Sequence, residues 1–165
     1  MHKDKYVLVT GATSGIGLQT AKDLQEKGYK VFGTSRSKQK EDEAKKILGD
    51  DFYFIRGDLS SRKSLAQIAK LAKAHVGNNG LYALVNNAGT SFSKYTLSAD
   101  NHEMQFAVNT AAPMYLSLML YADIKKAHGR IVTVSSDSHY RTYINWNDIQ
   151  LHQHYGQLRA YKQSK

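Results

Sequence analysis

Short apolar runs recur along the chain and are separated by longer polar segments with apolar residues at helical spacing. The runs are rich in β-branched and aromatic residues and lie at 6–9, 29–34, 52–55, 81–85 and 130–134. Their length and composition are typical of buried strands. The segments between them predict helices at 18–27, at 38–48, after a cap at Ser60 or Ser61, at 99–127 and from 155 to 165.

Strands that alternate with helices in this way predict an α/β fold. Right-handed crossovers place such strands in a doubly wound parallel sheet with helices on both faces. The 165 residues are enough for one domain. The longest predicted helix contains the only proline of the chain, Pro113, which predicts a kink there. Ligands of such sheets bind at the carboxyl ends of the strands, so we look for chemistry at those ends.

The turn after the first strand is rich in glycine. Gly11, Gly15 and Gly17 follow the strand at 6–9 with the spacing G-x-x-x-G-x-G, directly before the helix at 18–27. Glycines let the backbone approach an anion, and the N–H groups and positive dipole end of a helix favour a phosphate. A tight strand–helix turn without a ligand has the same pattern, so the glycines alone leave both interpretations open.

The composition indicates a globular protein and restricts its chemistry. Hydrophobic residues make up 41% of the chain and charged residues 22%. The sequence has no cysteine, and therefore no disulfide, thiolate ligand or thiol nucleophile. No apolar run reaches the roughly 20 residues that a membrane span requires. These features favour a cytoplasmic protein without a membrane span.

The chain is basic, with 23 lysines and arginines against 14 acids and a formal net charge of +9. A basic chain of this kind can bind nucleic acid, a membrane surface or an anionic small molecule. The lysines are mixed with acids, as in 38–46, which favours a solvated helix face over nucleic-acid binding. His152 and His154, with His139 nearby, suggest metal ligands, but no acid or cysteine completes a set at the usual spacing. We therefore predict neither a nucleic-acid partner nor a metal site.

A series of short motifs follows the predicted strands in order. They are Thr10-Gly11-x-x-x-Gly15-x-Gly17, Asp58-Leu59, Asn86-Asn87-Ala88-Gly89, Asn109, Ser136 and Tyr161-x-x-x-Lys165. Together, and over essentially the whole chain, they resemble the short-chain dehydrogenase/reductase family. The segments 131–139 and 160–165 look most like its retinol dehydrogenase-like branch. The resemblance implies one Rossmann-type domain over residues 1–165 that binds a nicotinamide cofactor.

The resemblance also implies a cofactor site at the carboxyl edge of the sheet. Its residues would be Gly11, Thr13, Ser14, Gly15, Ile16, Gly17, Arg36, Asp58, Leu59, Asn87, Ala88, Gly89, Tyr161 and Lys165. The glycines would receive the pyrophosphate, and Asp58 would bond the adenine amino group beside the backbone of Leu59. Asp58 could instead cap the following helix, and the asparagines at 86–87 could close a turn.

The end of the second strand bears on which nicotinamide cofactor binds. A site for NAD has a carboxylate about 20 residues past the glycines, which bonds the ribose 2′-hydroxyl. This chain has Ser35-Arg36-Ser37-Lys38 there. Arg36 can hold a 2′-phosphate through a bidentate contact, and its neighbours can add contacts. We predict NADP(H) in preference to NAD(H); the alternative is a solvated arginine in a loop.

The resemblance assigns the chemistry to Asn109, Ser136, Tyr161 and Lys165. Tyr161 and Lys165 are four positions apart on one predicted helix, so they share a face, and a nearby ammonium favours a tyrosinate. Tyr161 would exchange a proton with a carbonyl or alcohol oxygen that Ser136 orients. Lys165 would also bond the nicotinamide ribose, and Asn109 would hold a water that links Lys165 to solvent.

The sequence departs from the family pattern in two places. Ser136 and Tyr161 are 25 positions apart, further than in many members. The added stretch at 141–149 predicts either an apolar wall of a substrate pocket or a surface flap. The sequence also ends at Lys165, whereas two more strands and a substrate-binding loop follow in the family. We therefore expect the N-terminal part of a longer enzyme, with C-terminal strands missing, the fifth strand at the sheet edge, and little turnover.

Two function hypotheses follow. The first is an NADP(H)-dependent oxidoreductase that acts on a small-molecule carbonyl or alcohol, with Tyr161 as acid and base. The second is a non-catalytic or vestigial NADP(H)-binding protein on the same fold. The presence of Ser136, Tyr161 and Lys165 favours the enzyme, because a binding module has no need of acid–base groups. The resemblance is also compatible with a homodimer or homotetramer.

Overall fold

The computed structural model of the protein describes residues 2 and 4–165 and consists of strands that alternate with helices. The strands are β1 (Tyr6–Val9), β2 (Lys30–Ser35), β3 (Phe54–Arg56), β4 (Ala83–Asn86) and β5 (Arg130–Thr133). The helices are α1 (Gly15–Glu26), α2 (Lys38–Leu48), α3 (Arg62–Val76), α4 (Met104–Phe106), α5 (Ala112–Lys126) and α6 (Gln157–Ser164). All strands pair in parallel in the order β3-β2-β1-β4-β5, which confirms the predicted α/β class.

Successive residues of β1 face opposite sides of the sheet and pack in two separate cores. Val7 and Val9 lie in the core that includes Ala21 of α1 and Ala44 of α2. Leu8 lies in the other core, which α3 and α5 cover through Leu65, Ile68, Ala72, Leu116 and Leu120. Each fully buried leucine contributes about 2 kcal/mol to folding. Helices therefore cover both faces, as predicted for a doubly wound sheet.

The observed bounds differ from the predicted ones where a turn or a cap decides them. Helix α1 begins at Gly15 rather than at residue 18, so its first turn contains two of the motif glycines. Strand β3 is Phe54–Arg56 rather than 52–55, because its ladder with β2 pairs Gly33 with Phe54. Helix α3 is capped by Ser61, whose hydroxyl accepts from Ser64 N.

The long helix predicted at 99–127 is wrong at its start. It begins at Met104, because the Glu103 carboxylate caps it by accepting from the backbone N–H of Gln105 and Phe106. A π-helical turn at Ala107–Ala111 then leads into α5. Pro113 lies in the first turn of α5, where its missing N–H is tolerated, so the irregularity precedes the proline.

Strand β5 is an edge of the sheet, as expected from the sequence. It pairs with β4, and its residues are exposed, with Ile131 42% and Val132 45% accessible. Every helix in the described part of the chain is too short or too polar to cross a bilayer.

Gly17, in the first turn of α1, packs closely against the glycine turn and the side chain of Asn87. A methyl group there would lie within 3.0 Å of the carbonyl oxygen of Gly11 and the side-chain nitrogen of Asn87. Gly15 has φ +53°, but a methyl group there would meet nothing within 4 Å. The two glycines therefore serve different purposes, one for space and the other for conformation.

We predict that Gly17→Ala lowers the free energy of unfolding by about 3 kcal/mol, because backbone must move to admit the methyl group. Gly15→Ala is the matched control and should cost only about 1 kcal/mol, the strain of a left-handed backbone. Urea unfolding followed by far-ultraviolet circular dichroism measures both. Equal losses in the two variants would contradict the steric account.

Candidate active site

A large cavity of about 850 Å³ opens at the carboxyl edge of the sheet. This is the edge at which doubly wound folds bind ligands. Of the residues predicted from the sequence, the lining contains Gly11, Thr13, Ser14, Ile16, Gly17, Arg36, Asp58, Leu59, Asn87, Ala88, Gly89, Ser136, Tyr161 and Lys165. Gly15 and Asn109 are outside the lining. The fold thus brings together almost the whole predicted set.

Hydrogen bonds between the ends of β1 and β4 hold the glycine turn in place. The Thr10 hydroxyl accepts from the backbone N–H of Asn87 and of Ala88, both at 3.0 Å. The Asn87 side-chain amide donates to Thr10 O at 2.9 Å, and Gly11 N donates to Thr34 Oγ1 at 3.1 Å. Asn87 therefore has a structural role here, in addition to lining the cavity.

The first turn of α1 is suited to an anionic group. Ser14, at its N-cap, makes no side-chain hydrogen bond to the helix, and the turn contains no acidic residue. The unsatisfied N–H groups and the positive end of the helix dipole thus have no competing side chain. With Gly11 at φ +68° and no side chain at Gly17, the backbone is open to close approach. These features fit the pyrophosphate of a dinucleotide.

Asp58 lines the cavity just after β3 and does not cap the helix that follows. Its Oδ1 accepts from the N–H and the hydroxyl of Ser60, both at 2.9 Å, while Ser61 caps α3. The helix-cap alternative for Asp58 is therefore wrong, and the adenine contact stays a prediction.

The end of β2 presents two cations to the cavity. Arg36 and Lys40 are exposed and line it, together with Ser35. Ser37 instead caps α2, accepting from Lys40 N at 3.5 Å, and Lys38 pairs with Asp42. The further contacts expected from Ser37 and Lys38 are thus replaced by Lys40, which helix α2 brings to the cavity.

Ser136, Tyr161 and Lys165 also line this cavity. The Ser136 hydroxyl accepts from Ser138 N at 3.2 Å, which closes a short 3₁₀ turn after β5. The Lys165 ammonium donates to Val134 O at 2.6 Å. Burial lowers the pKa of Lys165, because the low-dielectric surroundings disfavour the charged form.

Asn109 lies in the π-helical turn, outside the cavity lining, and its side chain links two parts of the chain. Its Nδ2 donates to Thr90 O and to Ser164 Oγ, both at 2.9 Å, and its Oδ1 accepts from Thr90 N at 2.8 Å. A carboxamide with these partners joins the loop after β4 to α6. The predicted water link to Lys165 remains a prediction.

The segment at 141–149 does not form a wall of this cavity. Tyr143 is 91% exposed and Trp146 75% exposed. Ile144 and Trp146 instead line a separate hollow of about 250 Å³ against Phe106. The segment therefore does not line the large cavity, and the two alternatives, a wall of a substrate pocket and a surface flap, both remain predictions.

One of the histidines considered as metal ligands, His152, contacts a tyrosine instead. His152 Nδ1 lies 2.7 Å from the Tyr95 hydroxyl. Among residues 2 and 4–165, no three histidine or acidic side chains cluster as metal ligands.

Several lining residues escaped the sequence analysis. They are Thr34, Lys40, Gly57, Thr90, Ser91, Val108, Val134, Ser135, Gln157 and Leu158. Most are neighbours of a motif residue, and this adjacency could have been used. Gln157 and Leu158 belong to α6, whose position over the cavity depends on tertiary contacts such as the Asn109–Ser164 bond.

Comparison with known proteins agrees with this geometry. Residues 5–147 match the family described as short chain dehydrogenase. The chain is 35% identical to mouse retinol dehydrogenase 11 and 34% identical to human polyprenol dehydrogenase, in each case over 98% of this chain and 52% of the relative. A crystal structure of an uncharacterised protein from Mycobacterium paratuberculosis superposes with a TM-score of 0.84 and 30% identity, covering 98% of this chain and 57% of that one.

The chain spans about half the length of the curated relatives it matches. Within that half, the matched region includes the glycine turn, the paired strand ends and Ser136. The alignments to the retinol and polyprenol dehydrogenases are longer and cover 98% of the chain. The chain belongs to the short-chain dehydrogenase/reductase family, in the part that contains the retinol dehydrogenase-like proteins.

Proposed function

We propose that the chain is the cofactor-binding and catalytic part of an NADP(H)-dependent oxidoreductase that interconverts a carbonyl compound and an alcohol. The observation that carries the proposal is that Ser136, Tyr161 and Lys165 line the same cavity as the glycine turn. An anion-binding turn and an acid–base group in one cavity are what hydride transfer to a carbonyl requires. The bound cofactor supplies the hydride.

The residues of this chain divide the remaining work between them. Gly11, Gly17 and the first turn of α1 bind the pyrophosphate. Ser136 donates a hydrogen bond to the substrate oxygen and orients it. Tyr161 gives its hydroxyl proton to that oxygen during reduction and takes it back during oxidation. The Lys165 ammonium, one helical turn from Tyr161, favours the tyrosinate that results.

The preference for NADP(H) rests on charge at the end of β2. Arg36 and Lys40 line the cavity there, and among the described residues Arg36 has no side-chain ion pair. A guanidinium free to form two parallel hydrogen bonds suits the 2′-phosphate. A second cation one helical turn away adds to the attraction.

The substrate class is proposed from the relatives. Two of them are named for retinol and polyprenol, which are long apolar alcohols. We infer that the small-molecule substrate of this protein is an alcohol or aldehyde of that kind. We also propose that the protein acts in the cytoplasm. The non-catalytic alternative is not favoured, because the groups it does not need are all present at the cavity.

We predict that Tyr161→Phe lowers the turnover of an apolar aldehyde such as retinal by at least about a hundredfold, because the proton donor is lost. The affinity for NADPH should be nearly unchanged. Consumption of reduced nicotinamide measures turnover, and fluorescence titration measures binding. Tyr143→Phe, which changes an exposed tyrosine outside the cavity, is the matched control and should retain wild-type turnover. NADPH binding without any wild-type turnover would favour the non-catalytic alternative.

We predict that Arg36→Gln weakens NADPH binding by about 10- to 100-fold, the loss expected for a charge-assisted hydrogen bond. NADH affinity in the same variant should change little, because NADH has no 2′-phosphate. Parallel titrations with both cofactors measure the two effects. A similar loss for NADH would indicate a general disturbance of the site instead.

A further inference from the structure

A buried carboxylate lies directly behind the proposed 2′-phosphate site. Glu41, in the first turn of α2, is only 6% exposed. It accepts a hydrogen bond from the hydroxyl of Ser35, which is itself in the cavity lining together with Lys40. The negative charge of Glu41 is therefore one hydrogen bond away from the wall of the cavity.

A carboxylate in this neighbourhood opposes the binding of NADP(H). It is the type of group that bonds the ribose 2′-hydroxyl of NAD, and it repels a 2′-phosphate. The chain thus carries the group that a site for NAD would use, in a place where the cavity does not reach it.

Arg56, the last residue of β3, occupies both oxygens of this carboxylate. Its Nε donates to Glu41 Oε1 at 3.0 Å, and its Nη2 donates to Oε2 at 2.7 Å. This bidentate contact, more than any other, holds the pKa of Glu41 below its ordinary value, so the pair is ionised at neutral pH. Arg56 is not in the cavity lining, so its contact is with Glu41 and not with the cavity.

The charges around the pair are largely matched. Lys38 and Asp42, also on α2, form an ion pair with each other next to it. The remaining cations of this region are Arg36 and Lys40, which line the cavity. Neutralisation of Glu41 therefore depends on Arg56.

We propose that Arg56 is a positioning residue for cofactor choice: it pairs with Glu41 and thereby lets the end of β2 accept a 2′-phosphate. This rests on the proposed function and extends it from the cations that contact the phosphate to the arginine that masks a neighbouring anion. In the absence of Arg56, Glu41 retains its charge and repels the 2′-phosphate, or it turns into the cavity and bonds a 2′-hydroxyl. Either result moves the preference toward NAD(H).

The test compares two fragments of the cofactor, 2′,5′-ADP (adenosine 2′,5′-bisphosphate) and 5′-AMP, which differ only in the 2′-phosphate. Calorimetric titration of the whole chain gives the ratio of their affinities. We expect Arg56→Met to lower this ratio about tenfold, the effect of one unscreened charge near the phosphate. Arg130→Met is the matched control, since it removes the same charged group at the opposite end of the sheet, where Arg130 contacts Tyr82. Its ratio should equal that of the wild type.

A second variant separates masking from direct contact. If Arg56 masks Glu41, the double variant Glu41→Gln/Arg56→Met should recover a ratio within about twofold of the wild type, because no charge is left to mask. Arg56→Lys should also retain most of the ratio, because it keeps the compensating charge. Failure of the double variant to recover, with 5′-AMP binding intact, would overturn the proposal and indicate that Arg56 contacts the phosphate itself.

The outcome for the wild type distinguishes this proposal from the proposed function. A wild-type ratio well above one that does not change in Arg56→Met would overturn only the role of Arg56. A wild-type ratio near one would overturn both the NADP(H) preference and the role of Arg56, while 5′-AMP binding would still support a nucleotide site. Equal losses for both fragments in Arg56→Met, with a folded circular dichroism spectrum, would also contradict the proposal, because masking acts on the 2′-phosphate alone.

Discussion

The close approach of two backbone segments at Gly17 is the constraint on which the rest of the structure depends. The first turn of α1 lies against the carbonyl oxygen of Gly11 and the side chain of Asn87, with no room for a methyl group. The Thr10 hydroxyl and the Asn87 amide join the same place to the end of β4. Because α1 starts there, its unsatisfied N–H groups point into the cavity rather than into a core. The packing contact at Gly17 thus fixes where α1 starts relative to β1 and β4, and with it the place where an anion can bind.

Electrostatics at the carboxyl edge depends as much on pairing as on the number of charges. The formal charge of +9 by itself says little, because many lysines are on solvated helix faces. Arg36 and Lys40 line the cavity, whereas Glu41 lies behind it and is neutralised by Arg56. A cavity can therefore favour a polyanionic cofactor while a carboxylate lies next to it. A different effect acts on Lys165, whose pKa is lowered by burial rather than by a partner charge.

The part of the cavity that α6 lines is held in place by contacts between elements that are distant in the chain. Asn109 bonds Ser164, and the Thr110 hydroxyl donates to the Ser164 carbonyl oxygen at 2.9 Å. Both residues belong to the π-helical turn, which shifts the helix surface relative to a regular α-helix. These bonds position α6, and with it Tyr161, which lines the same cavity as Ser136. The Asn109 side-chain amide, which bonds Thr90 and Ser164, therefore has a positioning role in the structure.

The sequence by itself determined the alternation of strands and helices, the parallel sheet and the residues that end its strands. Hydrophobic periodicity and glycine spacing are local signals, and carboxyl ends of parallel strands necessarily share one edge. The family resemblance, not periodicity, predicted one site for Ser136 and Tyr161, which are 25 positions apart, and both line the same cavity. Only the tertiary structure decided that the helix starts at Met104, that the segment 141–149 lies outside the cavity, and that Arg56 pairs with Glu41. The helix start follows from the Glu103 cap, whereas the other two features depend on packing and ion pairing between elements. The sequence does not show that Glu41 pairs with Arg56, 15 positions away.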